Sequence, residues 1–203
     1  MAYSCSNCGK NINGKVLAYS KGNFGKALCR DCQGEDGLSD DDISYRKNMI
    51  KGRIAETLIE ELFLSLDYNV FRYGMENTVP GIMEMLQDVE NGVAHKIRRM
   101  PDFVVQHKRR SDKLFFIEVK FRKNETFTKE DLSDDYPFEN SYFIVVSKNH
   151  IKCITYEELQ EGKEVTPDST NFLGERDEFN LNESQKQTIR QFCNFAVKFF
   201  QGV

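Results

Sequence analysis

Apolar residues recur every four positions through Ile50, Ile54, Leu58, Leu62 and Leu66, and Ala55, Ile59 and Phe63 widen the stripe. This period predicts an amphipathic helix over residues 45 to 66. Past it the pattern shortens. Tyr68 to Tyr73 reads as a strand, and Val79 to Val93 as a helix with Pro80 in its first turn and Gly92 near its end. Two strands follow, Phe103-Val104-Val105 and Leu114 to Phe121, joined by the basic turn His107 to Lys113. Residues 125 to 140 are polar, with room for a short helix around Lys129 to Leu132. Tyr142 to Val146 and Ile151 to Tyr156 are the next strands, and 157 to 180 are weakly patterned. Asn182 to Phe200 closes as a helix whose Asn182 and Gln185 have capping-box spacing. Its apolar face is Ile189, Phe192, Cys193, Ala196, Phe199 and Phe200. This order predicts a mixed α/β domain, one sheet with helices packed against it.

The chain has 203 residues, 39% hydrophobic and 30% charged, which suits one ordinary domain plus a small appendage. No stretch approaches the roughly 20 apolar residues that span a bilayer. The N-terminus has neither a positive n-region nor an apolar h-region, so the expectation is a reducing, cytoplasmic setting. The formal net charge of -4 conceals an asymmetry. From His95 to Lys123, ten Lys and Arg stand against Asp102, Asp112 and Glu118, a local charge of +7. A basic zone inside an acidic protein points to a localised polyanion site. Residues 35 to 44, with five acids between Glu35 and Asp42, read as an acidic linker between residues 1–34 and the larger domain, 45–203.

Residues 1–34 carry Cys5-x2-Cys8 and Cys29-x2-Cys32, separated by 20 residues. This spacing belongs to four-cysteine zinc sites, in which each pair turns two thiolates toward one ion. Gly9 supplies the flexible residue of the first knuckle, and the residues between the pairs suit a small hairpin. A segment this short cannot bury a stable core, so zinc is expected to hold it together. Lys10, Lys15, Lys21, Lys26 and Arg30 make it basic, which leans the module toward nucleic acid.

The strand Leu-Phe-Phe-Ile-Glu-Val-Lys-Phe holds the second chemistry. Alternation puts Phe115, Ile117, Val119 and Phe121 on one face, and Glu118 and Lys120 on the other beside Leu114 and Phe116. Charges in so apolar a run are costly unless paired, hydrogen-bonded or bound to a metal. Asp102 opens the preceding strand, with fifteen residues between it and Glu118. If the strands are neighbours, two hard carboxylates converge, the donor set Mg²⁺ or Mn²⁺ takes with water and phosphate. Lys120 would touch that water or a phosphate oxygen, and a depressed pKa would suit it as a base. A further carboxylate is Glu56, at the Phe63 edge of the helical stripe; Glu61 borders the opposite edge, and periodicity alone does not choose between them.

The helix Lys51-Gly52-Arg53-Ile54-Ala55-Glu56, then Pro101-Asp102, then Glu118-Val119-Lys120 resembles the PD-(D/E)xK nuclease superfamily, with its restriction-endonuclease-like fold. Over residues 46 to 156 the order of parts is similar to archaeal Holliday junction resolvases. The resemblance implies Asp102 and Glu118 as metal ligands with the Val119 carbonyl, Lys120 orienting or activating water, and Glu56 completing the acidic site. It implies a Mg²⁺- or Mn²⁺-dependent endonuclease cutting DNA to 5′-phosphate and 3′-hydroxyl ends. Long spacing between Arg72 and Pro101 departs from the smallest resolvases and leaves the substrate open, RNA included. Phosphate contacts are expected from Lys96, Arg98, Arg99, Arg122 and Lys123, with Lys108-Arg109-Arg110 ranked lower. The alternatives are an inactive nucleic-acid-binding or assembly protein on the same fold, and a protein-docking zinc module. A homodimer through the phenylalanine-rich last helix stays open.

Overall fold

The structure, a computed structural model, describes residues 3–35, 40–74, 86, 89, 91–109 and 113–202. The chain divides into two compact units, Met1–Ile50 and Lys51–Val203. In the first, strands β1 (Tyr3–Ser4) and β2 (Asn11–Ile12) pair antiparallel around the first cysteine knuckle. Helix α1 (Gly14–Phe24) follows, capped by the Asn13 side chain on the Val16 N–H, and α2 (Arg30–Glu35) carries Cys32. The hairpin expected between the cysteine pairs is therefore mostly helix. The two short strands enclose the first pair, and an eleven-residue helix fills the interval to the second.

Helix α3 runs from Asp40 to Ser65, so it begins inside the acidic stretch read as a linker. The expected helix Val79 to Val93 falls almost wholly outside the described residues. What is described there is α4 (Gly92–Arg98), capped by Asn91 on the N–H groups of Val93 and Ala94.

The second unit holds a five-stranded mixed sheet in the order β3 (Tyr68–Arg72), β4 (Phe103–His107), β5 (Leu114–Phe121), β6 (Ser141–Val146), β7 (Ile151–Thr155). All neighbours are antiparallel except β5 and β6. A parallel pair needs a long crossover, and residues 122 to 140 supply it. After β7 come α5 (Tyr156–Gln160) and α6 (Glu183–Gln201). The capping box between Asn182 and Gln185 is formed, and Gln185 also donates to the Leu66 carbonyl at the end of α3.

The sheet faces differ. On one, Phe103, Val105, Phe115, Ile117, Val119 and Ile144 pack against Leu58, Ile59, Leu62 and Phe63 of α3 and Ile189, Ala196 and Phe200 of α6. Each such side chain contributes about 1.5–3 kcal/mol on burial. On the other face, among the described residues, the buried cluster lies over β6 and β7, with Phe143, Val145 and Ile154 under Phe127, Leu159 and Val165, and Phe138 packs on Phe116 of β5. Glu118 and Lys120 stand on this second face, next to that cluster.

Candidate functional site

The β4–β5 register pairs Phe103 with Ile117, so the next position outward sets Asp102 against Glu118. Asp102 is 7% exposed and held from two sides. Its Oδ2 accepts the Val119 N–H at 2.7 Å, and its carbonyl accepts from Tyr73 at 2.9 Å and Gly74 at 3.4 Å. Val119 sends its side chain into the main core and gives the site its backbone. The Lys120 ammonium lies 2.5 Å from Glu118 Oε1. Glu118 Oε2 is buried with no hydrogen-bond partner among the described residues. Leaving such an acceptor unmade costs about 1–3 kcal/mol, more for a charged group. An oxygen-seeking cation would satisfy it, and the donor set here is made of hard oxygens.

The electrostatics agree. Burial, then the Glu118 and Glu56 carboxylates, raise the Asp102 pKa well above the ordinary range. Burial works against the Lys120 ammonium, but Glu118 beside it and Asp102 outweigh this, so its pKa rises. The depressed lysine pKa expected from the sequence is tied to a metal beside it; with the carboxylates alone, the shift is upward.

Glu56, half-buried on α3, is the more distant member. Its charge acts on Asp102 and on Arg72, whose guanidinium is paired with Glu60. Glu61 is exposed and borders a separate apolar groove against α6. The packing of α3 therefore separates the two candidates that periodicity left level. Among the described residues the carboxylates do not draw three ligand atoms within 4.8 Å of one another, whereas the cysteines do.

Asp102, Glu118 and Lys120 line one cleft of about 380 Å³, with Gly74, Arg98, Arg99 and Tyr136. Arg98 donates to the carbonyls of Leu86 and Val89, which orient it without neutralising its charge. Arg99 pairs with Asp135 at 2.8 Å, and Arg122 with Asp131 at 3.3 Å while lying over the Phe127 ring. Lys96 and Lys123 are exposed. Lys108 and Arg109 follow the far end of β4, and Arg110 lies outside the described residues.

Tyr136 was missed by sequence reasoning. Its hydroxyl lies 3.1 Å from Ser141 Oγ, and burial, with the Glu118 charge, pushes its pKa up. The available hint was an aromatic pair, Tyr136-Pro137-Phe138, in an otherwise polar stretch.

In the first unit, Cys5, Cys8, Cys29 and Cys32 bring their sulfurs within 4.8 Å of one another and can hold a metal ion such as zinc. Cys8 and Cys29 Sγ are 3.6 Å apart without a disulfide. A zinc tetrathiolate with Zn–S bonds of about 2.3 Å has S···S edges of roughly 3.8 Å. Gly9 makes the knuckle possible with φ +72°, its N–H reaching the Cys5 carbonyl at 2.9 Å. A hydrogen bond from the Cys8 backbone, opposed by burial and aided by Cys29 and Asn7, holds Cys5 down to about 6. Crowding against Cys8 and Cys29, with burial, pushes Cys32 up to about 12. Four thiols in this space cannot all ionise without a cation.

No family model matches the chain, and neither a curated protein nor a solved structure matches it. Among the described residues no helix is long and apolar enough to cross a membrane.

Proposed function

We propose that the second unit is a metal-dependent endonuclease of the restriction-endonuclease-like type, hydrolysing phosphodiester bonds in DNA, with the cysteine module assisting nucleic-acid binding. The observation that carries this reading is the pairing of Asp102 with Glu118 across β4 and β5, beside Lys120, with one buried Glu118 oxygen lacking a partner among the described residues. Asp102, Glu118 and the Val119 carbonyl would hold Mg²⁺ or Mn²⁺, and Glu56 would complete the acidic set. Such an ion, when bound, lowers the pKa of a coordinated water and offsets charge on the attacked phosphate. The Val119 N–H fixes the carboxylate plane of Asp102. Lys120, which rests on Glu118, would orient or activate the attacking water or touch a phosphate oxygen. Arg98 and Arg99 on the cleft wall would bind flanking phosphates. The products would be a 5′-phosphate and a 3′-hydroxyl.

A second reading, a nucleic-acid-binding protein that does not cut, draws on the closed Lys120–Glu118 pair and on the lack, among the described residues, of a third ligand atom gathered with Asp102 and Glu118. One experiment separates the two. The purified chain is incubated with linear, nicked, flapped, branched and single-stranded DNA, and with RNA, in Mg²⁺ and in Mn²⁺. Cleavage that disappears in Asp102→Ala while binding survives supports the nuclease; binding without cutting in either ion sinks it.

A further inference from the structure

Among the described residues, the buried cluster on the sheet face that carries Glu118 lies over β6 and β7, and Phe138 packs on Phe116 of β5. Toward β3 the same face exposes aromatic rings. Arg72 stands 5.9 Å from the Phe103 ring in the main core, so alternation turns its neighbours Phe71 and Tyr73 to the other face. Phe71 is 54% exposed and Tyr73 37%. The register lines Phe71 with Val104 and Val104 with Phe116. Tyr73 lies 5.8 Å from Phe116 with the rings at 34°. The Tyr73 backbone N–H is bonded to the Asp102 carbonyl. An exposed aromatic pair therefore begins one hydrogen bond from the buried acid.

Leaving two such rings in water forgoes burial energy, and a patch of this kind marks an interaction surface. The surroundings select its occupant. Beside the rings, the cleft presents Arg98, which no carboxylate neutralises among the described residues; Lys96 is exposed on the same helix as Arg98. Flat apolar faces next to positive charge match a chain that alternates π surfaces with anions. Single-stranded nucleic acids are held this way, bases on aromatic rings of a sheet and backbone along a basic groove. An intact duplex keeps its base faces stacked inside and cannot use such rings.

We propose that Tyr73 and Phe71 form a stacking platform for unpaired nucleobases, so that the strand entering the Asp102–Glu118 cleft is single-stranded or frayed there. This deepens the nuclease reading and rests on it for the position of the phosphate. Tyr73 is a positioning residue; its ring holds a base and touches no reacting atom.

The test measures anisotropy of a short labelled oligothymidylate and of a blunt duplex of equal length, at one fixed salt concentration. Binding is measured in an Asp102→Asn background, which prevents cutting. The chain is expected to prefer the single strand. Tyr73→Ala should weaken that binding roughly 5- to 150-fold, the range of one base–aromatic stack, and leave duplex binding unchanged. Tyr73→Phe, which keeps the ring, should retain it. Equal affinity for both DNAs, no binding of either, or indifference to Tyr73→Ala would overturn the platform. So would a dimer in sedimentation that Tyr73→Ala dissociates, since a second copy would then cover the rings. Cleavage is followed in parallel with Asp102 intact. Stacking without cleavage keeps the platform and removes the nuclease; duplex cleavage indifferent to Tyr73→Ala does the reverse.

Discussion

The cysteine cluster and the Asp102–Glu118 cleft both gather ligand-type side chains, but they are assembled differently. The cysteines sit on two short local turns, and their sulfurs already lie within 4.8 Å of one another. The carboxylates come from separate strands and a helix, and among the described residues no three of them gather as the sulfurs do; one is held by a backbone N–H and another by a lysine. A site whose ligands fold together has little else to do but hold an ion. A site kept partly open, with a lysine at its edge, retains positions for water and substrate.

That contrast can be broken most severely at the cysteines. Structural zinc supplies about 10–16 kcal/mol of apparent binding energy in small modules. Cys29→Ser, or a strong chelator, should therefore unfold α1 and α2, with zinc lost from the purified chain, while the thermal transition of the second unit persists. Loss of both units together would mean that the cysteine cluster also holds the sheet domain.

Next in size is Lys120→Ala, expected to lower Mg²⁺-dependent cleavage on the order of 10²–10⁴-fold, as removal of a group that positions or transfers a proton does. Its effect on DNA binding should be small. Retained activity would remove the lysine from the chemistry. Smaller again is the comparison of Glu56→Gln with Glu61→Gln. The first, whose charge reaches Asp102, should reduce activity or metal affinity about 10–100-fold, the scale of outer groups around a metal site. The second should change nothing. Equal effects would deny Glu56 a special place.

The smallest effect concerns stability without metal. Burial and two carboxylate neighbours raise the folded Asp102 pKa, so its protonated form favours the fold. That contribution is present at pH below the unfolded value of about 3.9 and is lost as pH rises through the folded value. In EDTA, Asp102→Asn should therefore raise the melting temperature at neutral pH by about 2–4 °C, what ~1 kcal/mol is worth in a chain of this size. The same variant should lose any stabilisation by Mg²⁺ or Mn²⁺. A variant less stable than the parent in EDTA would show that the carboxylate is not strained by burial.

Much of this was legible in the chain. The four-residue period of α3, the alternation of β5, the capping box of α6 and the cysteine spacing are short-range signals, set by backbone geometry within one or two turns. Other features depended on long-range packing. The interval between the cysteine pairs reads as a hairpin from its glycines, yet Asn13 caps a helix there. The polar stretch 125 to 140 gives no period, but Phe127 and Tyr136 are drawn under the sheet from it.

By itself the sequence determined which residues could carry chemistry: four thiols at metal spacing, and Asp102, Glu118 and Lys120 as charges that apolar strands do not keep without a reason. Only the tertiary structure decided how they meet. The β4–β5 register set Asp102 opposite Glu118, the packing of α3 turned Glu56 rather than Glu61 toward them, and the packing on one sheet face left Tyr73 and Phe71 exposed beside the cleft. Local spacing fixes the direction of a side chain on its own element; the distance between side chains on different elements is set by how their apolar faces pack.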